Sequence, residues 1–432
     1  MNIIHQQRVS IAIAALLSLS LNASAHNVES SNTPATTQSE QASVATKNLE
    51  QTLFKNKEAQ YRIPAIVECK SGKIIAFTDH RYDNRDIGGG RHLDIVAKES
   101  TNKGISWTET ERIIARGGNH ITNSFDCAHG DAAPVVDWKT GEILLMCASG
   151  GIGYWESTRE NPQMMGRYYS NDEGKTWQAQ EVTSDVYGLM PEVTSAFFTS
   201  GRICQSRRIK AGTHYRLYTA LTTRQGNRVL YSDDFGKTWG VLGSNAYATA
   251  PKGDEAKIVE LPDGNVLISS RTQYGRFFNI FTYADTKTAE GTWGEVAMSS
   301  AQNNGVRNGD SACNGEILCV KAKDTNGKKV HLLLQSVPIG PGRSNVAIFY
   351  KALRTHADYA SPEAIASNWE GSYQVSHTTS AYSTMVQTKK GNIIFLYEEN
   401  AFRHPETEPD DYYDIVFKQF TINEITAGKY NQ

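Results

Sequence analysis

The sequence predicts an all-β chain folded as a six-bladed β-propeller. Two repeats and one absence predict it. Six times a small or polar residue, a glycine, a polar residue and a β-branched residue occur in a row and open an aliphatic run. Three times a turn of the form S-x-D-x-G-x-[ST]-W appears, once with Asn in place of Asp. Few helix-period patterns lie between these marks.

The first repeat comprises Ser71-Gly72-Lys73-Ile74, Thr140-Gly141-Glu142-Ile143, Ser200-Gly201-Arg202-Ile203, Asp263-Gly264-Asn265-Val266, Asn314-Gly315-Glu316-Ile317 and Lys390-Gly391-Asn392-Ile393. Glycine supplies the positive φ of a tight hairpin turn, and runs such as IIAF, ILLM, VLIS and IIFL read as buried strands. The six glycines lie 51 to 76 residues apart. A four-stranded blade needs about 40–50 residues, so this spacing leaves room for long loops. A large β-sandwich with coincidental turns is the alternative.

The second repeat runs Ser100 to Trp107, Ser170 to Trp177 and Ser232 to Trp239, with Asn102 standing where Asp172 and Asp234 stand. Asp accepts from backbone N–H groups, Gly turns the chain and Trp buries a face. The role is structural; three spaced carboxylates for a calcium loop are missing. Gly291-Thr292-Trp293 keeps only the tail of a fourth copy.

The 432 residues contain 39% hydrophobic and 9% aromatic side chains, enough for a packed core. Net charge is −2, so no global field favours nucleic acid or an anionic membrane. The N-terminus reads as an export signal over residues 1–25: Arg8, an apolar run from Ile11 to Leu21, then Ala23-Ser24-Ala25. The run is too short to span a membrane, and periplasmic or extracellular location is expected. Residues 26–48 are polar and lack aromatics, which predicts a disordered linker. The propeller is placed at 49–428, as a monomer.

Six cysteines at 69, 127, 147, 204, 313 and 319 are too few for a disulfide scaffold in so long a chain. Buried free thiols are expected. No CxxC pair and no HExxH motif point to a transition metal, and no cofactor is called for.

Polar residues recur near one offset ahead of the hairpin glycines. Arg62 and Asp131 lie ten before Gly72 and Gly141; Glu192, Glu255 and Tyr382 lie nine before Gly201, Gly264 and Gly391. Equivalent strand starts in successive blades can converge on one mouth of the channel. Arg81, Arg271 and Arg343 flank further aliphatic runs. Singly, each reads as a solvated or salt-bridged strand end. Together, converging arginines repel one another unless an anion joins them.

With these marks the chain from about 50 to 425 resembles the bacterial exo-α-sialidases (neuraminidases), glycoside hydrolases of the family 33 type with Asp-box (BNR) repeats. The resemblance rests on Arg62-Ile63-Pro64, the Asp-box turns, Arg81 with Asp86, Glu255 with Arg271, Arg343, and Ala381-Tyr382-Ser383 leading to Leu396-Tyr397-Glu398. It implies that Arg62, Arg271 and Arg343 clamp the carboxylate of a sialic acid. It implies Tyr382 as nucleophile, Glu255 as its base, Asp86 as acid/base and Glu398 as support for Arg62. Arg81 and Asp131 would contact polar groups across the sugar ring, with Asp126 close by. Phe125 and Trp155 are candidates for the N-acetyl pocket. The chemistry suits the residues: a carboxylate nucleophile would meet like charge beside the anomeric carboxylate, whereas tyrosine is neutral until deprotonated. The glycines of Asp83–Gly90 would let an acid move. The implied activity is retaining hydrolysis of terminal sialic acid from glycoproteins, glycolipids or oligosaccharides. An intramolecular trans-sialidase and a non-catalytic glycan-binding propeller are the alternatives.

Overall fold

The structure is a computed structural model. It describes residues 49–432 apart from 83–84, 89–91, 119–121, 244–247 and 403–411. The predicted export signal and linker, and the glycines at 89 and 90, lie outside the described residues.

Six antiparallel sheets of four or five strands follow one another along the chain. The first blade is Tyr61–Glu68, Ile74–Arg81, Leu93–Ser100 and Arg112–Ala115, paired in that order. The second, His129–Val136 to Gln178–Glu181, repeats the plan. The sixth is Ser380–Gln387, Ile393–Phe402 and Tyr412–Phe420, completed by the N-terminal strand Glu50–Phe54. That strand pairs Glu50 with Lys418, so the two ends of the chain close one sheet. Tyr430–Asn431 adds to the fifth blade, two residues past the predicted limit at 428.

The core lies between blades. Strands read as continuous aliphatic runs because both faces are covered. Ile75 and Phe77 of the first blade meet Ile143 and Leu145 of the second. Ile394, Leu396 and Phe417 of the sixth meet Ile66 and Ile74 of the first.

The Asp boxes connect the third and fourth strands and fasten one blade to the one before it. In the second box, Thr176 N–H donates to Asp172 Oδ1 at 2.9 Å and Gly174 N–H to Ser170 Oγ at 2.7 Å. In the first box, Asn102 Oδ1 accepts from Ser106 N at 2.9 Å and its Nδ2 donates to Ser106 Oγ, so Asn replaces Asp without loss of the turn. A Cβ on Gly104 would stand 2.5 Å from Phe417 of the sixth blade, on Gly174 2.8 Å from Ile75 of the first, and on Gly236 2.4 Å from Leu144 of the second. The glycines therefore serve a positive φ and a close approach at once.

Two of the six predicted hairpins are placed differently. In the third blade Ala196–Phe198 and Cys204–Ala211 both pair with His214–Thr223, so Gly201 interrupts one strand and the hairpin turns at Gly212. The interruption sends Gly201 N–H to Ala132 O at 2.8 Å, a bond to the neighbouring blade. In the fifth blade Asn314-Gly315 precedes the inner strand Ile317–Asp324, and the hairpin is at Gly327. Gly315 is there for close packing: a Cβ would lie 1.7 Å from Ser336 O. Glu192 starts no strand; it lies in a turn and pairs with Arg228 at 3.4 Å.

All six cysteines are free thiols, five of them buried.

Candidate active site

The starts of the inner strands do not run straight. The pairing slips between Arg62 and Ala65, between Gly130 and Ala133, and between Ser380 and Ser383. These are β-bulges, which re-aim side chains at a strand end. Ile63 and Asp131 hold φ of +59° in the first two, an uncommon conformation for either residue and a strained one for a β-branched side chain. The register makes Asp131 the counterpart of Ile63 rather than of Arg62.

Glu398 anchors the first bulge to the sixth blade. Its side chain is 0% exposed. It accepts from Arg62 Nε at 2.8 Å, Ile63 N at 2.8 Å and Tyr382 N at 3.1 Å. A buried carboxylate with three donors is a satisfied one. It fixes Arg62 against Tyr382 across the seam where the ring closes.

Tyr382 is the meeting point. Its hydroxyl donates to Glu255 Oε2 at 2.7 Å and accepts from Arg271 Nη1 at 3.1 Å. Arg271 also bonds Glu255 Oε2 at 2.6 Å and reaches Asp254 at 3.4 Å. Arg62 and Arg343 each place Cζ 5.7 Å from the Tyr382 ring. Burial first, then the Glu255 charge, push the Tyr382 hydroxyl well above its ordinary range, while Arg271 and Arg343 pull it down. Among the described residues no carboxylate stands within ion-pair distance of Arg343. The three guanidinium groups thus face one space with two of their charges answered and one not.

A second group faces them. Arg81 Nη2 lies 3.2 Å from Asp79 Oδ2 and 3.3 Å from Asp86 Oδ1. Asp86 is 69% exposed at the side chain, and its Oδ1 also accepts from Ile87 N at 2.9 Å. Asp131 N–H donates to Asp79 Oδ1 at 3.0 Å. The Asp131 carboxyl is raised by burial first and then by Asp86, Asp79 and Glu255, with Arg81 opposing. Carboxylates from three strands (Asp79, Asp131, Glu398) and from the loops at Asp86 and Asp254–Glu255 therefore gather with four arginines at one end of the inner strands.

Asp79 and Asp254 belong to this network and were not anticipated. Asp79 carried a signal: an acid inside the run IIAFTDHR, two residues before Arg81. Asp254 lies beside Glu255. Tyr413, whose ring lies 5.1 Å from Arg62 Cζ, carried none. Phe125 packs against His129 and Tyr168, and Trp155 is 77% exposed beside Tyr154. Asp126 accepts from Ser124 Oγ at 2.6 Å.

The family model described as BNR repeat-like domain matches residues 84–395. A sialidase of Clostridium perfringens is 26% identical over 305 residues, covering 67% of this chain and 74% of its own. A sialidase of Paraclostridium sordellii is 26% identical over 328 residues, covering 73% of this chain and 76% of its own. Among solved structures, the intramolecular trans-sialidase from Ruminococcus gnavus superposes with a TM-score of 0.65 at 16% identity, over 87% of this chain and 98% of its own. At that identity the likeness is one of fold.

Proposed function

The chain belongs to the BNR repeat-like domain family, and from that premise we propose that it is an exo-α-sialidase hydrolysing terminal sialic acid with retention. One observation carries the reading: the hydrogen-bonded line Arg271–Tyr382–Glu255 under two further arginines. The sialidases among its relatives support it.

A sialic acid bears its carboxylate on the anomeric carbon. Arg62, Arg271 and Arg343 would hold that group, since a planar guanidinium binds a carboxylate bidentately and stays charged. Tyr382 is then aimed at the anomeric carbon. As its oxygen forms the new bond, its proton passes to Glu255, and Arg271 steadies the developing phenolate. Asp86 gives a proton to the departing glycosidic oxygen. In the second half Asp86 takes a proton from water, water attacks the same carbon, and Tyr382 leaves with the proton returned by Glu255. Two displacements leave the configuration unchanged. Sialidases with a tyrosine nucleophile are known exceptions to the two-carboxylate scheme.

The substrates are sialylated glycoproteins, glycolipids or oligosaccharides. Export completes the reading, resting on the run Ile11–Leu21 and Ala23-Ser24-Ala25; cell fractionation tests it.

Turnover of a 4-methylumbelliferyl sialoside tests the activity, with wild type beside Tyr382→Phe and Asp86→Ala. Both variants should lose about 10²-fold or more in kcat. A fluorinated sialic acid analogue should label Tyr382. Labelling elsewhere removes it as nucleophile. Product NMR should find free sialic acid released with retention; an anhydro sugar would make the enzyme an intramolecular trans-sialidase instead.

A further inference from the structure

The channel has a second mouth. Glu68, Val136, Glu260 and Gln387 end the inner strands that begin at Tyr61, His129, Ala256 and Ser380. They lie about six residues, roughly 20 Å, below the site around Tyr382. There the strand ends line a cavity of about 670 Å³.

Its wall carries six cations, Lys70, Arg202, Arg207, Arg208, Lys321 and Lys389. Two carboxylates, Glu68 and Glu260, oppose them. With Arg202 answered by the buried Glu316 at 3.6 Å, the local excess is three positive charges in a chain whose net charge is −2. The carboxylates are occupied by hydroxyl and backbone donors: Glu260 accepts from Ser206 Oγ and Arg207 N, and Glu68 from Lys389 N. Among the described residues the ammonium groups of Lys70 and Lys389 reach only carbonyl oxygens, those of Lys139, Cys69 and Lys70. Among the described residues no carboxylate stands within ion-pair distance of Arg207, Arg208 or Lys321. Arg207 lies 4.9 Å over the Trp138 ring, which leaves its edge N–H groups free. His331, on the same wall, is held below its ordinary pKa by burial and by the charges of Lys321 and Arg208.

Deeper in the channel the buried Glu316 carboxylate faces Arg202 and Lys257. Arg202 Nε makes no hydrogen bond and stands 3.6 Å from Glu316. Lys257, 2% exposed, has no hydrogen-bond partner among the described residues and lies against Gly201.

We propose that this second mouth is a binding site for a small oxyanion bearing two or more sulfate or phosphate groups. Cations gathered without counter-charge repel one another, and a bound oxyanion removes that repulsion. Guanidinium forks match sulfate and phosphate oxygens bidentately. One monovalent anion would answer a third of the excess, so the site fits a multivalent one. The cavity volume is that of a small-molecule pocket. It is too confined for a nucleic-acid duplex, and the rest of the chain supplies no positive field for one.

Titration calorimetry with inositol hexakisphosphate and with a heparin-derived tetrasaccharide tests this on the whole chain. One-site binding is expected at about 50 mM salt, weakening about tenfold or more at 300 mM. The triple variant Arg207→Ala, Arg208→Ala, Lys321→Ala should lose at least as much, with sialoside turnover unchanged. The single variant Lys321→Ala, at an exposed position, keeps the test valid should the triple variant misfold. Binding of the sulfated sugar alone, or of the phosphate alone, would name the natural class; binding of both would define a general oxyanion site. Binding of neither, undiminished binding in the variants, or equal affinity for a short DNA duplex would overturn the proposal.

Discussion

Tyr382 donates its hydroxyl proton to Glu255 Oε2 at 2.7 Å, while Arg271 Nη1 donates to the Tyr382 hydroxyl oxygen at 3.1 Å. The hydroxyl is thus neutral at rest and has a base in place. Glu255→Gln removes the base and the like charge that helps raise the tyrosine pKa. The two effects oppose each other in acidity, yet only the carboxylate can accept the proton. Steady-state kinetics should show kcat reduced about 10²- to 10⁴-fold with thermal stability nearly kept. A variant with wild-type kcat would leave Glu255 as a mere anchor for Arg271.

Glu398 satisfies Arg62 and two backbone N–H groups in a dry setting. Glu398→Ala removes the buried carboxylate that Arg62 Nε bonds, and losses of about 3–5 kcal/mol are expected for such a break. Glu398→Gln keeps the shape and one carbonyl acceptor for Arg62 Nε and Ile63 N–H, while its charge is lost and its amide NH2 meets the Tyr382 N–H donor; it should lose less than Glu398→Ala. Urea unfolding of the two variants gives the order; equal stability of Glu398→Ala and wild type would deny the anchoring role.

Much of this site was legible because it breaks a pattern. Arg62, Arg271 and Tyr382 interrupt apolar strands, Glu255 immediately precedes one, and Glu398 follows the apolar run IIFLY within another. Burial of such groups demands a partner or a purpose. The hairpin glycines were less legible. Gly72, Gly141, Gly264 and Gly391 turn hairpins, whereas Gly201 and Gly315 make room for a neighbouring blade and a facing carbonyl. The local motif is the same, and only tertiary packing separates the two uses. The bulges were invisible for a similar reason: counting back from a glycine assumes an unbroken register, so Asp131 was matched to Arg62 when it occupies the place of Ile63.

Asp79 should make stability depend on pH. It is pushed up to about 7, by burial above all and by Asp86, with Arg81 opposing. An unfolded aspartate titrates near 3.9, so the folded state keeps this proton longer. The resulting stabilisation is complete below about pH 4 and is lost as pH rises through about 7. Asp79→Asn abolishes the titration while keeping an acceptor for Asp131 N–H. Between pH 5 and 8 wild type should lose roughly 1–3 kcal/mol relative to the variant. Parallel urea midpoints across that range would contradict the shift.

The ring is closed by five residues. Glu50–Phe54 pairs with Tyr412–Phe420, and Asn56 N–H donates to Asp414 Oδ1 across 358 residues of chain. Phe54 is 2% exposed, and its ring lies 5.1 Å from Tyr61 of the first blade. The strand therefore ties the blade that carries Tyr382 to the blade that carries Arg62. Phe54→Ala should cost about 3–5 kcal/mol, against about 0.5 or less for Ile105→Ala on the surface. Because the seam runs beside the site, opening there should separate Arg62 from Tyr382 before the other blades unfold. Turnover in Phe54→Ala should then fall at a lower temperature than circular dichroism reports global unfolding. Coincident loss of turnover and sheet signal would mean that the seam is no weaker than the other five junctions.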